Sequence, residues 1–238
     1  MSIFKFESSN VRDILKYADG SCLAIFDIDH TLIEPVQTIG STHWERHLMK
    51  KLMEKGFTYH ESAIRAFHQW RTIQHLTDVK LVEESIFEVI TGLKLLQIQT
   101  LGLTARDGTL SSLTFDQLKS VNLHNMFSQH KVNSNLMGNF PCTYFNGAVF
   151  CGFNKKDEAL KLFLEQANFK PKKILFIDDQ QSHVDELEEL SRILGIEYVG
   201  MKYTASGDHT FDPKVAEMQE RHLPKLLSDG EALDLLEA

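Results

Sequence analysis

Four short apolar runs punctuate the chain: Leu23-Ala24-Ile25-Phe26, Thr100-Leu101-Gly102-Leu103, Ile174-Leu175-Phe176-Ile177 and Tyr198-Val199-Gly200-Met201. Each is nearly continuous in hydrophobicity rather than alternating, as a strand buried on both sheet faces should be. Between them, apolar residues recur at three and four positions: Leu160, Phe163 and Leu164, then Val184, Leu187, Leu190 and Leu194. That spacing predicts amphipathic helices. Strands alternating with helices predict an α/β fold with a mostly parallel sheet.

The stretch from about Ser41 to Leu96 departs from this alternation. It is dense in helix formers, has no strand-like run and contains no proline. Ser41 and Thr42 suit the cap of a helix through Trp44, Leu48 and Leu52 that Gly56 ends. Further helical patterns cover roughly Glu61 to His75 and Leu81 to Leu96. The expected organisation is an α/β core of residues 1–36 and 97–238, with residues 37–96 inserted as a small helical cap. Asn146-Gly147, between Tyr144-Phe145 and Ala148-Val149-Phe150, predicts a hairpin, because both residues tolerate positive φ. Pro213 to Ala238 is expected to be helical, with no chemistry of its own.

Composition narrows the function classes. Of 238 residues, 42% are hydrophobic and 24% charged, as in an ordinary globular protein, and sixteen Phe predict an aromatic-rich core. The net charge of −8 argues against a protein that coats nucleic acid. It leaves room for a phosphorylated substrate held by a metal ion, a lysine and backbone amides. Three cysteines, Cys22, Cys142 and Cys151, are too few and scattered for a disulfide framework or a zinc site. With no leader-like opening and no long apolar window, the expectation is a cytoplasmic protein with no membrane or nucleic-acid partner.

The candidate chemistry lies where the strands end. The first runs into Asp27-Ile28-Asp29-His30-Thr31, and ligands of open α/β sheets bind beyond the carboxyl ends of strands. Asp27 can ligate Mg²⁺ with one oxygen and attack phosphorus with the other, while Asp29 serves as acid and base. Alternatively, Asp29 and Thr31 merely shape a turn. The third run ends in Asp178-Asp179, and adjacent carboxylates at a buried strand end repel unless a cation offsets them. The second ends at Thr104-Ala105-Arg106, where a hydroxyl and amides can donate to phosphoryl oxygens. Asn154-Lys155-Lys156-Asp157 opens a helix, which puts a lysine beside an anion-binding N-terminus.

In order and spacing these elements resemble the haloacid dehalogenase-like superfamily. Asp27-Ile28-Asp29-His30-Thr31 looks like its first motif, Thr104 its second, Lys156 its third and Asp178-Asp179 its fourth. The resemblance implies a Rossmann-like three-layer sandwich and a Mg²⁺-dependent phosphatase acting on a phosphate monoester. Asp27 would be the nucleophile and Asp29 the acid/base that also lends its carbonyl to the metal. Thr104 would position the phosphoryl group, with Thr31, Ala105 and Arg106 at the substrate. Lys156 would neutralise charge, and Asp178 and Asp179 would complete the metal site. Asp29 favours phosphate over halide, because an alkoxide leaving group needs a proton. Transfer to another acceptor, as in a phosphotransferase or mutase, uses the same residues, and a non-catalytic regulatory protein keeping the fold is the rival of another class. Two positions depart from the family pattern: Asp157 follows the lysine, and His183 stands where a further carboxylate is common. The cap implies a small phosphorylated molecule as substrate. His43 and His47 are expected on a solvated face, Gln37 at the substrate, Trp44 at the substrate or in the cap core, Arg106 at the substrate or in a structural ion pair, and Lys50-Lys51 exposed.

Overall fold

A computed structural model describes residues 2–206 and 211–238. In chain order the elements begin with strand β1 (Ile3–Ser8), a 3-10 turn at Val11–Tyr17, β2 (Cys22–Phe26) and β3 (Ile33–Pro35). Helices α1 (Thr42–Glu54) and α2 (Tyr59–Gln74), β4 (Val79–Leu81), α3 (Ile86–Leu95), β5 (Gln99–Thr104) and α4 (Ser111–Ser120) follow. Next come β6 (Asn135–Met137), β7 (Pro141–Phe145), β8 (Ala148–Phe150), α5 (Lys156–Gln166), β9 (Lys173–Asp178), α6 (Gln181–Leu194) and β10 (Glu197–Tyr203). Helices α7 (Pro213–Arg221) and α8 (Asp229–Glu237) close the chain.

All four apolar runs are strands of one eight-stranded sheet, ordered β1-β10-β9-β2-β5-β8-β7-β6. The pairs from β1 through β8 are parallel, and β8, β7 and β6 pair antiparallel. The fold is α/β with a mostly parallel sheet and helices on both faces. On one face Leu23, Ile25, Ile174 and Phe176 pack against Leu160, Phe163, Val184 and Leu187 of α5 and α6. Helix α3 meets β5 and the Val11–Tyr17 turn, which in turn meets β9 and β10. Asn146 and Gly147 both have positive φ, 47° and 83°, and make the two-residue turn of the β7–β8 hairpin.

The chain divides into two compact units, Met1–Ile33 with Leu81–Gly207, and Glu34–Lys80 with Asp208–Ala238. These bounds differ from the expected 37–96 insertion in three ways. The expected third helix belongs to the first unit, because Ile86, Val89, Ile90 and Leu93 are buried along one face and α3 contacts β5. A strand, β4, lies inside the stretch that looked wholly helical; its three residues, Val79-Lys80-Leu81, are too few to register as an apolar run. The C-terminal helices belong to the second unit, where Ala216 joins Ile39, Trp44, Leu48, Ala66 and Ile73 in one core.

Within that second unit, Ser41 caps α1 by accepting from the Trp44 N–H, and Gly56 follows its end at φ 92°. Thr58 and Glu61 form a capping box at the start of α2. Trp70 and Gln74 both donate to the Gly40 carbonyl, at 2.9 and 2.8 Å. Trp44 is fully buried there, and Gln37 accepts from the Asp78 N–H at 3.2 Å, so both are accounted for by packing and turn geometry.

Candidate active site

Strands β2 and β9 are neighbours in register, Phe26 opposite Ile177, so the residues that follow, Asp27 and Asp178, reach the same sheet edge. The Asp27 N–H donates to the Ile177 carbonyl at 3.0 Å and extends the ladder by one bond. Beyond it the chain curls over the Ile28 carbonyl, which accepts from Leu32 at 3.0 Å and Ile33 at 3.1 Å. His30 takes φ 59° within this curl, a conformation uncommon for a residue with a β-carbon. The turn expected as the bland alternative for Asp29 and Thr31 is therefore present, and it carries both side chains.

Lys156 ties the edge together. It is the first residue of α5, only 2% exposed, and its Nζ donates to Asp27 Oδ1 at 2.5 Å and to Asp178 Oδ2 at 2.7 Å. Thr31 donates to the other Asp27 oxygen at 3.2 Å. Asp178 is fully buried and also accepts from the Gln180 N–H at 2.8 Å, with His183 Nδ1 at 3.1 Å. His183 thus supports the carboxylate that in turn holds Lys156.

Asp27, Asp178 and Asp179 each offer an oxygen to one small region, those atoms lying within 4.8 Å of one another. All the donors are carboxylate oxygens, and two of the three carboxylates are buried. That set fits a hard divalent cation such as Mg²⁺. Burial raises the Asp27 carboxyl to about 6, against the pull of Lys156 and with the push of Asp178. Burial also pushes Asp178 up, but Lys156 and the His183 hydrogen bond outweigh it and hold Asp178 below the usual range. Lys156 is raised, because Asp178 and Asp27 together overcome its burial.

The residues at the end of the second strand divide between the sheet edge and the interior. Thr104 ends β5, beside β2, and is 1% exposed; its hydroxyl accepts from the Arg106 N–H at 3.1 Å. Ala105 is exposed. Of the two expectations for Arg106, substrate contact or a structural ion pair, the ion pair is what forms: the side chain is 3% exposed and turned inward. Its Nε and Nη2 each stand 2.8 Å from an oxygen of Asp29, and Nη1 donates to Thr114 at 2.9 Å and Gln117 at 2.6 Å. A planar guanidinium makes such a fork naturally. Burial pushes Asp29 up, but the charge and hydrogen bonds of Arg106 prevail and hold it low. Thr114 and Gln117 were missed in the sequence; their only signal is polar character three residues apart on a buried face of α4. The histidine pair gives no metal site among the described residues: His47 lies 3.3 Å from Glu217, and His43 stacks on Phe211.

Comparison with known proteins adds the following. A Chlamydia pneumoniae protein described as "Putative outer membrane protein" is 30% identical over 94% of this chain and 85% of its own length. One of the same description from Chlamydia trachomatis is 28% identical over 92% of this chain and 84% of its own. Among solved structures, a "Hydrolase, haloacid dehalogenase-like family protein" from Streptococcus pneumoniae covers 90% of this chain and 97% of its own, at 14% identity and a TM-score of 0.49. A "Putative Phosphatase from Clostridium difficile" covers 75% and 83%, at 15% identity and a TM-score of 0.49.

The descriptions of the chlamydial relatives overturn the cytoplasmic expectation. That expectation rested on cysteine usage, a leader-less opening and the lack of a long apolar window, and none of these fixes a compartment. The free thiols are all buried, so they report packing rather than compartment. No described helix is long and apolar enough to cross a membrane. The family model that matches spans residues 7–233, nearly the whole chain, and the chain belongs to that family, described as "Protein of unknown function (DUF2608)".

Proposed function

We propose that the protein is a Mg²⁺-dependent phosphatase that hydrolyses a small phosphate monoester through an aspartyl-phosphate on Asp27. The observation that carries this reading is the Lys156 ammonium set between Asp27 and Asp178 at the carboxyl edge of the sheet, with Asp179 completing a carboxylate cluster. Asp27, Asp178, Asp179 and the Asp29 carbonyl would hold the metal, which when bound supplies positive charge to the phosphoryl oxygens. Lys156 screens Asp27 from the approaching phosphoryl group and balances charge as the bond to the leaving oxygen loosens. Thr31 holds the second Asp27 oxygen and so fixes which one faces the substrate.

Asp29, kept as the anion by Arg106, is set for the base half of the cycle. It takes a proton from the water that attacks the aspartyl-phosphate and returns that proton to the leaving oxygen in the next turnover. Thr104, at the adjacent strand end, is the donor for a phosphoryl oxygen. The preference for a small substrate rests on the inserted unit, which the chain enters directly after the Asp27–Ile33 curl.

Hydrolysis of an aryl phosphate by the full chain, with Mg²⁺ and with excess chelator, tests the reading beside Asp27→Asn. Activity that needs both Mg²⁺ and Asp27 is expected. Equal rates for variant and wild type, or full activity in chelator, would contradict it.

A further inference from the structure

Cys142 lies in β7 and Cys151 directly follows β8, the two strands of one hairpin. The paired residues are Phe145–Ala148, Tyr144–Val149 and Thr143–Phe150, so one more step along each strand brings Cys142 opposite Cys151. At the next step the chains remain close, a β-carbon on Gly152 lying 3.1 Å from the Pro141 carbonyl oxygen, although the Gly152 N–H turns away to the Arg106 carbonyl. Asn154 clamps the same junction, accepting from the Phe140 N–H at 3.1 Å and donating to the carbonyls of Phe140 at 3.0 Å and Cys151 at 2.9 Å.

The pair is of the kind in which side chains approach closely. The Cys151 N–H points away from β7, donating to the Thr104 carbonyl at 2.9 Å, and the Tyr144 N–H points away from β8 to Ser134 at 2.7 Å. In such non-hydrogen-bonded antiparallel pairs the α-carbons are about 4.5 Å apart, inside the roughly 4.4–6.8 Å span of disulfides. Both side chains lie on one face, in the core cluster that includes Phe163 and Leu160.

We infer that Cys142 and Cys151 are a disulfide site, closed as the chain folds in an oxidising environment. Both are free thiols in this structure and almost wholly inaccessible, Cys142 at 2% and Cys151 at 0%. An oxidant therefore meets them before the hairpin is covered, not after. Burial also pushes the Cys142 thiol up to about 11, which makes it a poor nucleophile once folded. In the open hairpin the Asn146-Gly147 turn already sets the register that brings the sulfurs together. One thiolate attacks a small-molecule disulfide and releases one small thiolate, and the second attacks the protein sulfur of the resulting mixed disulfide and releases the other. The pair thus loses two protons and two electrons, and the small-molecule disulfide leaves as two thiols. The bond ties β7 to the segment that runs into Lys156. The inference stands on the hairpin alone and is independent of the phosphatase reading.

The test refolds the reduced, unfolded full chain in oxidised and reduced glutathione at several ratios, followed by alkylation in denaturant, where all three buried thiols become accessible, and tryptic mapping. No lysine or arginine lies between Val132 and Lys155, so both cysteines fall in one peptide. In oxidising buffer that peptide should resist alkylation and weigh two hydrogens less, while Cys22 is alkylated. The thermal midpoint should exceed that of the reduced protein by roughly 5 °C or more. A Cys142→Ala, Cys151→Ala variant should lose the dependence on redox ratio. Alkylation of both cysteines at every ratio, pairing of either with Cys22, or a bond that lowers the midpoint would overturn the inference.

Discussion

Arg106 grips Asp29 with two parallel hydrogen bonds, Nε and Nη2 each 2.8 Å from one carboxylate oxygen. The partners lie 77 positions apart in the chain and join the end of β5 to the curl after β2. Thr114 and Gln117 fix the guanidinium from behind, so Asp29 has its orientation set by a buried, fully bonded cation. Asp29 therefore contributes an anion that is already neutralised, and the carboxylates left for a metal are Asp27, Asp178 and Asp179.

Removing the guanidinium should leave Asp29 charged in a mostly buried site. Arg106→Met is expected to destabilise the fold by on the order of 3 kcal/mol in denaturant titration, and Arg106→Met with Asp29→Asn to recover part of that loss. Additive effects of the two substitutions would show that the pair is not coupled.

Lys156 separates two buried carboxylates, so Lys156→Met should act on both activity and stability. Phosphatase activity should fall by at least about 100-fold. Lys156→Arg should not restore it, because a planar guanidinium cannot occupy the compact position of the ammonium between Asp27 and Asp178. Steady-state kinetics on an aryl phosphate check this, and near wild-type turnover in either variant would count against the assigned role.

The carboxylate cluster makes metal binding visible without turnover. Mg²⁺ at a hundred times its dissociation constant should stabilise the fold by about 2.7 kcal/mol over protein in chelator. Asp179→Asn should weaken that response. Thermal midpoints with and without Mg²⁺ are the measurement, and identical midpoints for wild type would remove the metal from the account.

Much of this arrangement was readable in the chain because it follows from local patterns. Apolar runs that end in Asp27, Thr104 and Asp178 mark strand ends, and neighbouring parallel strands must present such ends on one edge. The Asn146-Gly147 turn was readable for the same reason. What could not be read is which distant groups meet. Nothing near Arg106 in the chain names Asp29 as its partner, and the short polar helix α7 gives no sign that Ala216 packs beside Trp44. Strand β1 escaped notice because Ile3–Ser8 is an edge strand with partly exposed, mixed residues rather than an apolar run. Periodicity alone places α3 with the insertion, because it shows that a face is buried, not against what.

His130 gives the fold a pH dependence of its own. Its ring stands edge-on to Phe163 with centroids 5.1 Å apart, and its Nε2 is buried without a hydrogen-bond partner. Burial lowers its pKa below the ordinary 6.5. The unfolded chain therefore takes up the proton first, and stability present above about pH 6.5 is lost as pH falls below it. His130→Phe keeps the ring and the backbone N–H that donates to Tyr144. It should flatten the slope of denaturation midpoint against pH between about 7 and 5.5. An unchanged slope would assign that dependence to other groups.

The central claim is that Asp27 carries the phosphoryl group. Acid-quenching the wild-type protein during turnover of an aryl phosphate, then mapping its peptides by mass spectrometry, tests this most directly. One added phosphoryl group is expected on the peptide that contains Asp27, labile to hydroxylamine and missing in Asp27→Asn. Turnover with no phosphoryl group on that peptide, or a group carried on any other residue, would contradict it.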